Sequence, residues 1–169
     1  MVLRILHTND LHGCLTVEKC LALSEARTTC DLYFDSGDAI KAGNLSIPLK
    51  QEEVWGRFDQ LELTAFCPGN RESHIVAAGV EAKMKGRQVT ALCANWMDRS
   101  GALVYRDSTV TKVKGITVGV IGVMVPMVTP RMKTQALSAY LWSQPIEAAQ
   151  KACRALRSSV DLLICLSHI

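Results

Sequence analysis

The chain has 169 residues, 49% of them hydrophobic and 21% charged, and a formal net charge of +3 at pH 7. That composition supplies enough apolar material for one globular domain with its own core. Lys and Arg are scattered along a nearly neutral chain. The sequence therefore gives no electrostatic basis for binding nucleic acid or an anionic membrane surface, and we expect neither partner.

Strand-like and helix-like segments alternate along the chain. Short apolar or β-branched runs predict strands at 2–6, 31–35, 63–67, 88–94, 116–123 and 161–167. Apolar residues at helical spacing predict helices at about 17–29, 51–61, 73–85 and 145–159. Two short alternating runs within 102–114 predict a hairpin that leads into the next strand. This order of elements predicts a layered α/β fold with a largely parallel sheet.

The cysteines and the longest apolar run bear on localisation. The seven cysteines form no CxxC pair, so we expect reduced, mostly buried thiols and no zinc ribbon. The longest apolar run, 116–128, is too short to cross a bilayer and contains Pro126. No secretory leader is recognisable ahead of the first strand, and we therefore expect a cytoplasmic protein, with export of a longer form as the alternative.

Polar side chains with metal-ligand chemistry follow several of the predicted strands. Asp10 and His12 follow the first strand, Asp38 the second and Asn70 the third, and His168 ends the last. Ligands of open α/β sheets bind beyond the carboxyl ends of the strands, so we expect these side chains to lie together. Oxygen and nitrogen ligands without sulfur suit Mn²⁺, Fe²⁺, Zn²⁺ or Co²⁺. Two carboxylates on neighbouring strands can serve two ions about 3.5–4 Å apart, as in hydrolytic two-metal sites.

Each candidate also has an ordinary local explanation. Asp10 with His12, and likewise Asp38, fits a polar turn, and Asn70 after Pro-Gly fits a type II turn. A strand-end histidine is also compatible with a buried, hydrogen-bonded core position. Asn95, after the fourth strand, fits a structural turn as well as it fits the site. Only the shared position at strand ends favours one metal site over these separate explanations.

Four motifs span almost the whole chain. They are HTNDLHG at 7–13, DSGDAIKAG at 35–43, PGNRE at 68–72 and LICLSHI at 163–169. In this order they resemble the calcineurin-like metallophosphoesterases, and most closely the 5′-nucleotidase and UDP-sugar hydrolase group. The resemblance implies a layered α/β/β/α sandwich with two divalent metal ions. It also implies hydrolysis of phosphate monoesters, such as nucleotides or related compounds, by metal-activated water.

The resemblance implies a role for each candidate ligand. Asp10 and His12 would bind the first ion, and Asp38 would bridge the two ions. Asn70 and His168 would bind the second ion.

The sequence departs from the family pattern at two points. Arg71 stands where the family usually has a His that acts on the leaving group, and an arginine can clamp a phosphoryl oxygen but cannot release a proton. His74 lies three residues further on and is a candidate to replace that imidazole. The family's last metal motif, G-H-x-H, and its substrate domain do not follow. We therefore expect residues 1–169 to be the N-terminal portion of a metallophosphoesterase domain.

Two functions are compatible with this pattern. The first is a metal-dependent phosphoesterase that acts on a small phosphoester. The second is a catalytically impaired domain of the same fold that serves as a binding or structural module. Arg71 and the missing last motif favour the second function, whereas the retained ligand set favours the first, which we prefer. The metal, the substrate and the oligomeric state stay open.

Overall fold

The computed structural model describes residues 2–169, which form eight strands and four α-helices. The strands are β1 (Ile5–Thr8), β2 (Leu32–Asp35), β3 (Ala65–Phe66), β4 (Trp96–Asp98), β5 (Ser108–Val113), β6 (Ile116–Met124), β7 (Tyr140–Trp142) and β8 (Leu162–His168). The helices are α1 (Val17–Arg27), α2 (Glu53–Gln60), α3 (Ala77–Met84) and α4 (Pro145–Leu156). Over these residues, no helix reaches the length and apolarity that a membrane crossing requires.

Two three-stranded sheets pack face to face. Their strand orders are β1-β2-β3 and β5-β6-β8. The first sheet is parallel throughout, whereas in the second β6 pairs parallel with β8 and antiparallel with β5. Leu32 and Phe34 of β2 share one buried cluster with Val118 and Val120 of β6. Each sheet therefore covers the apolar face of the other.

Helices cover the outer faces of both sheets. Tyr33 lies on the opposite side of β2 from its neighbours because side chains alternate along a strand. It packs in a second buried cluster with Trp55 and Phe58 of α2 and Cys20 of α1. On the far side of the molecule, α4 packs against β6 and β8. The predicted α/β/β/α layering is confirmed.

The predicted strand at 88–94 does not form a continuous ladder. The successive N–H groups of residues 92, 93 and 94 donate to the carbonyl groups of Phe66, Arg106 and Gly122, which belong to three different segments. A ladder needs successive residues to pair with a single neighbour. Only isolated bridges therefore form in this stretch, and the prediction of a full strand is wrong.

The hairpin lies further along the chain than predicted. Its strands are β5 and β6, which are antiparallel and pair Val113 with Ile116 next to the turn. The turn residues Lys114 and Gly115 have φ values of 51° and 81°, and positive φ at both positions matches the twist of a two-residue hairpin. The prediction of a turn inside 102–114 is therefore wrong. The sequence also does not predict the antiparallel pair β4–β7, because strands of three residues are too short to show periodicity.

The seven cysteines are all free. Cys20, Cys67 and Cys93 are buried in the two core clusters, whereas Cys14 and Cys165 are exposed. The expectation that most of the thiols are buried is therefore wrong. In β8 the reason is alternation, since Cys165 faces outward while its neighbour on the strand packs inward.

Candidate metal centre

The five predicted ligands lie together at the carboxyl ends of four strands. Asp10 and His12 follow β1, Asp38 follows β2, Asn70 follows β3, and His168 is the last residue of β8. Contacts of 3.5 Å or less between nitrogen and oxygen atoms connect all five side chains. Loops that are far apart in sequence therefore converge at a single place in the fold.

Three of these residues have strained backbones. Asp10, His12 and Asp38 have φ values of 53°, 49° and 56°, a region that non-glycine residues rarely adopt and that clusters at functional sites. Hydrogen bonds between the two loops maintain this conformation. The N–H of Asp10 donates to the carbonyl of Gly37 at 2.9 Å, and that of His12 donates to the carbonyl of Asp38 at 2.8 Å. The strain is the cost of directing three ligand side chains to one point.

Two glycines allow the loops after β2 and β3 to approach each other. A Cβ at Gly37 would lie 2.4 Å from the backbone nitrogen of Gly69. A Cβ at Gly69 would lie 2.3 Å from Oδ1 of Asp38 and 2.9 Å from Cε1 of His168. Any side chain at either position would therefore separate Asp38 from its neighbours.

Asp38 is shared by the two histidines. Its side chain is only 5% exposed, with Oδ2 at 3.3 Å from Nε2 of His12 and Oδ1 at 3.5 Å from Nε2 of His168. The ligand atoms of Asp10, His12 and Asp38 all lie within 4.8 Å of one another. One carboxylate thus faces two separate imidazoles, each with a second oxygen ligand beside it.

The hydrogen bonds of His168 point to a cation beside its Nε2 atom. Nδ1 lies 2.7 Å from the carbonyl oxygen of Ser36, which can only accept, so Nδ1 carries the proton. In the neutral ring Nε2 then carries a lone pair and can only accept. It nevertheless faces two further acceptor oxygens, Oδ1 of Asn70 at 3.0 Å and Oδ1 of Asp38 at 3.5 Å. Three acceptors meet here, and a metal ion placed among them would satisfy all three. The donor set therefore fits a divalent ion.

Arg71 lies at the rim of this cluster. Its backbone N–H donates to Oδ1 of Asp38 at 2.7 Å, and its Nε lies 3.8 Å from Oδ2 of the same carboxylate. A third contact runs from Nη1 to the carbonyl of Lys41 at 3.1 Å. The side chain is 26% exposed, so the guanidinium is both anchored and accessible from solvent.

His74 packs at the start of α3. Its Nδ1 accepts the backbone N–H of Val76 at 3.1 Å. The ring lies so close to the helix that a Cβ at Gly79 would be 2.5 Å from Nδ1. Among the described residues, no hydrogen bond or ion pair links His74 to the five ligand candidates, and its role as a proton donor stays a prediction.

Solved structures of other proteins share this arrangement of sheets and helices. A 5′-nucleotidase precursor from Thermus thermophilus matches 99% of this chain with a TM-score of 0.75 and 22% identity. The calcineurin-like phosphoesterase YfkN from Bacillus subtilis matches 98% with a TM-score of 0.77 and 19% identity. The chain has the fold of the calcineurin-like phosphoesterases. An NAD nucleotidase from Haemophilus influenzae also matches, over 98% of the chain, with a TM-score of 0.74 and 20% identity.

The likeness is one of fold, over part of longer proteins. The chain spans 37%, 61% and 34% of the lengths of these three structures, in the order given. A comparison with models of protein families finds no match, and neither does a comparison with curated proteins. These comparisons therefore establish the fold alone, and only the geometry of the site bears on activity.

Glu72 supports the site from beneath, although the sequence does not single it out. Its carboxylate is fully buried and accepts four backbone N–H groups, from Gly69, Asp38, Ala39 and Ile40, at 2.8–3.2 Å. Burial raises the pKa of Glu72, and the N–H donors of Gly69, Ile40 and Asp38 oppose the rise. Glu72 closes the PGNRE motif, which is the one signal in the sequence that points to it.

Asp35 and Asn95 are buried polar residues with structural partners. Asp35 accepts the hydroxyl of Thr8 at 2.7 Å and the N–H of Gly37 at 2.8 Å, and burial raises the pKa of its carboxyl to about 8. Asn95 donates to the carbonyls of Met124 and Ser143 and accepts the N–H of Met124. Its amide thus joins β6 to the end of β7, and of the two alternatives for Asn95 the structure favours the structural one.

Proposed function

We propose that these residues belong to a metal-dependent phosphoesterase that hydrolyses phosphate monoesters, with nucleotides as the first substrate class to test. The observation that carries the proposal is the shared carboxylate of Asp38, whose two oxygens face His12 at 3.3 Å and His168 at 3.5 Å. A bridging carboxylate between two ligand clusters is what a pair of divalent ions requires. The fold supports the proposal, since structures that share it are described as nucleotidases and phosphoesterases.

The ligand set divides between two proposed ions. Asp10 and His12 would hold one ion, Asn70 and His168 would hold the other, and Asp38 would contact both. Mn²⁺, Fe²⁺, Zn²⁺ and Co²⁺ all suit these oxygen and nitrogen donors. When bound, such ions supply Lewis acidity towards water and towards the phosphoryl oxygens.

The protein's own groups orient the substrate. The guanidinium of Arg71 keeps its charge at any physiological pH and offers paired N–H donors to a phosphoryl oxygen. Its anchoring to Lys41 and Asp38 fixes its position before substrate arrives, which lowers the entropy cost of binding. In this proposal Arg71 stabilises charge and does not transfer protons. If His74 donates a proton, Nε2 is the atom that carries it, because Nδ1 accepts the N–H of Val76.

Two measurements test the proposal. The first is titration of the metal-free protein with Mn²⁺ by calorimetry, and the second is hydrolysis of p-nitrophenyl phosphate and of a nucleoside 5′-monophosphate. Asp38→Asn is the informative variant, since Asn tolerates the left-handed backbone, removes the charge and replaces one carboxylate oxygen with an NH₂ group that cannot bind a cation. We expect it to weaken Mn²⁺ binding by more than about 100-fold and to abolish Mn²⁺-stimulated hydrolysis. Asp59→Asn, at an exposed position in α2, is the control and should behave as wild type.

The outcomes separate the two functions inferred from the sequence. Mn²⁺ binding with hydrolysis supports the enzyme, and binding without hydrolysis supports a binding module of the same fold. If wild type binds no divalent ion, the proposal of a metal site is wrong. The assignment of residues 1–169 to the N-terminal portion of a metallophosphoesterase domain stays a prediction.

A further inference from the structure

Lys83 is a lysine in α3 whose side chain is completely buried. Its ammonium donates to three backbone carbonyls, those of Gly43 at 3.0 Å, Asn44 at 2.9 Å and Ser73 at 2.8 Å. An ammonium has three donors, so each of them has a partner. Buried lysines are rare because the desolvation cost is high, and a completely satisfied one calls for an explanation.

The three carbonyls belong to two loops that meet at the candidate metal centre. Gly43 and Asn44 lie between β2 and α2, and Ser73 lies between β3 and α3. The hydroxyl of Ser73 donates in turn to the carbonyl of Asn70 at 2.8 Å. Lys83 therefore connects the loop that carries Asn44 to the loop that carries Asn70.

The side chains of Asn44 and Asn70 are hydrogen-bonded to each other. Nδ2 of Asn70 donates to Oδ1 of Asn44 at 2.8 Å. That bond leaves Oδ1 of Asn70 facing Nε2 of His168 at 3.0 Å. An amide has one acceptor end and one donor end, and only the oxygen can bind a cation. The partner of Nδ2 thus decides whether Asn70 is a competent ligand.

Asn44 has little else to hold it in place. Residues 44–47 are all exposed. Within the described chain, the other bonds of the neighbouring backbone run from Ser46 to Gly43, from Lys41 and Ala42 to Glu52, and from the side chain of Arg71 to the carbonyl of Lys41. The ammonium of Lys83 is the contact that fixes the carbonyl of Asn44 itself. Loss of this contact frees the carbonyl of Asn44 and loosens the acceptor that orients Asn70.

We propose that Lys83 is a positioning residue for the metal centre, because it holds Asn44 where Asn44 orients the amide of Asn70 with its oxygen towards the cation. This inference rests on the proposed function. Groups that orient metal ligands typically affect metal affinity by about 10–100-fold. Lys83 acts in series with Asn44 and Asn70, so its effect is not additive with theirs.

The test is Mn²⁺ affinity, measured by calorimetry, in a cycle of Lys83→Met and Asn70→Ala. Lys83→Met keeps the length of the side chain and removes the charge and the donors. We expect it to weaken Mn²⁺ binding by about tenfold in the wild-type background and by less than about twofold in the Asn70→Ala background. Lys85→Met, at an exposed lysine two residues further on, is the matched control and should leave the affinity unchanged.

A second pair of variants keeps the proposal testable if Lys83→Met does not fold. Asn44→Ala removes the acceptor and should weaken Mn²⁺ binding by about tenfold, whereas Asn44→Asp retains an acceptor oxygen and should bind within about threefold of wild type. Wild-type affinity in Asn44→Ala would overturn the proposal, since the proposal assigns the effect of Lys83 to its hold on Asn44.

The remaining outcomes are equally decisive. An equal loss of affinity from Lys83→Met in both backgrounds would show a general structural effect and overturn the positioning role. Unchanged affinity in a folded Lys83→Met protein would do the same, while the proposed function would stand. Absence of Mn²⁺ binding by wild type would overturn both proposals together.

Discussion

The two halves of the candidate centre share Asp38 but differ in how they are built. The open half, Asp10 and His12, has side chains that are 50% and 41% exposed. The braced half, Asn70 and His168, lies deeper, and the side chain of His168 is 12% exposed. The same kind of ligand chemistry is therefore exposed to solvent in the open half and partly buried in the braced half.

The halves differ most in what holds their side chains. In the braced half, the carbonyl of Ser36 fixes the ring of His168 and Asn44 fixes the amide of Asn70. In the open half, the ring of His12 makes polar contacts only with the two acidic ligands among the described residues, and Asp10 accepts a further bond from the adjacent Asn9. A group that is fixed in advance loses less conformational entropy on binding. We therefore expect the braced half to keep its geometry without an ion.

Removing the support that the two halves have in common, the buried carboxylate of Glu72, should have the largest effect. In Glu72→Gln, one carboxylate oxygen becomes an NH₂ group. Each oxygen accepts two backbone N–H groups, so whichever way the amide turns, two buried donors lose their acceptor. We expect the free energy of unfolding to fall by about 3–5 kcal/mol, measured by urea denaturation in the presence of a chelator.

Glu25→Gln, on the exposed side of α1, is the control for Glu72→Gln and should change stability by less than about 0.5 kcal/mol. A loss below about 1 kcal/mol in Glu72→Gln would contradict the role of Glu72 as the common support of both halves.

Gly69→Ala should distinguish the halves rather than remove both. The added Cβ would lie 2.3 Å from Oδ1 of Asp38 and 2.9 Å from Cε1 of His168, which are atoms of the side facing the braced half. We expect a loss of about 1–3 kcal/mol in the free energy of unfolding. In a Mn²⁺ titration, binding at the braced half should weaken more than binding at the open half.

Gly56→Ala is the matched control, because no atom beyond its chain neighbours and its own helix backbone lies within 4 Å of a Cβ at that position in α2. Alanine favours a helix over glycine, so this variant should be more stable by about 0.5–1 kcal/mol. If Gly69→Ala were as benign as Gly56→Ala, the close approach of the two loops would not limit the site.

The elements that the sequence predicts best are those whose periodicity reflects burial. The run at 116–123 predicts β6, observed at Ile116–Met124, because a strand buried on both faces reads as continuous apolar sequence. The helix predicted at 145–159 begins at Pro145 as expected and ends as an α-helix at Leu156. The stretch 88–94 is apolar as well, but its backbone divides its hydrogen bonds among three segments. Composition alone carries no information on that division.

The site shows the same boundary between what sequence can and cannot predict. The five candidate ligands follow from their position at strand ends, and the structure brings them together. The residues that support these ligands cannot be predicted in the same way, because each depends on the path that a loop takes in the folded chain. Glu72 reaches the backbone of Asp38 across 34 residues, and Lys83 reaches the carbonyl of Asn44 across 39 residues. A side chain that bonds to a distant backbone N–H or carbonyl group has no partner residue type that a sequence pattern could reveal.

The smallest expected effect comes from exchanging the two histidines for glutamine, one at a time. Glutamine retains an amide near the position of Nε2 but has no donor at the position of Nδ1. In the braced half, His168→Gln loses the hydrogen bond to the carbonyl of Ser36, which should lower the free energy of unfolding by about 1 kcal/mol. In the open half, the Nδ1 atom of His12 has no hydrogen-bond partner within the described chain, so His12→Gln should change stability by less than about 0.5 kcal/mol.

The measurement is urea denaturation of both variants with a chelator present, so that no ion contributes to the difference. Equal losses in the two variants would mean that the braced half is not fixed in advance, and the difference between the halves would then arise only when metal binds.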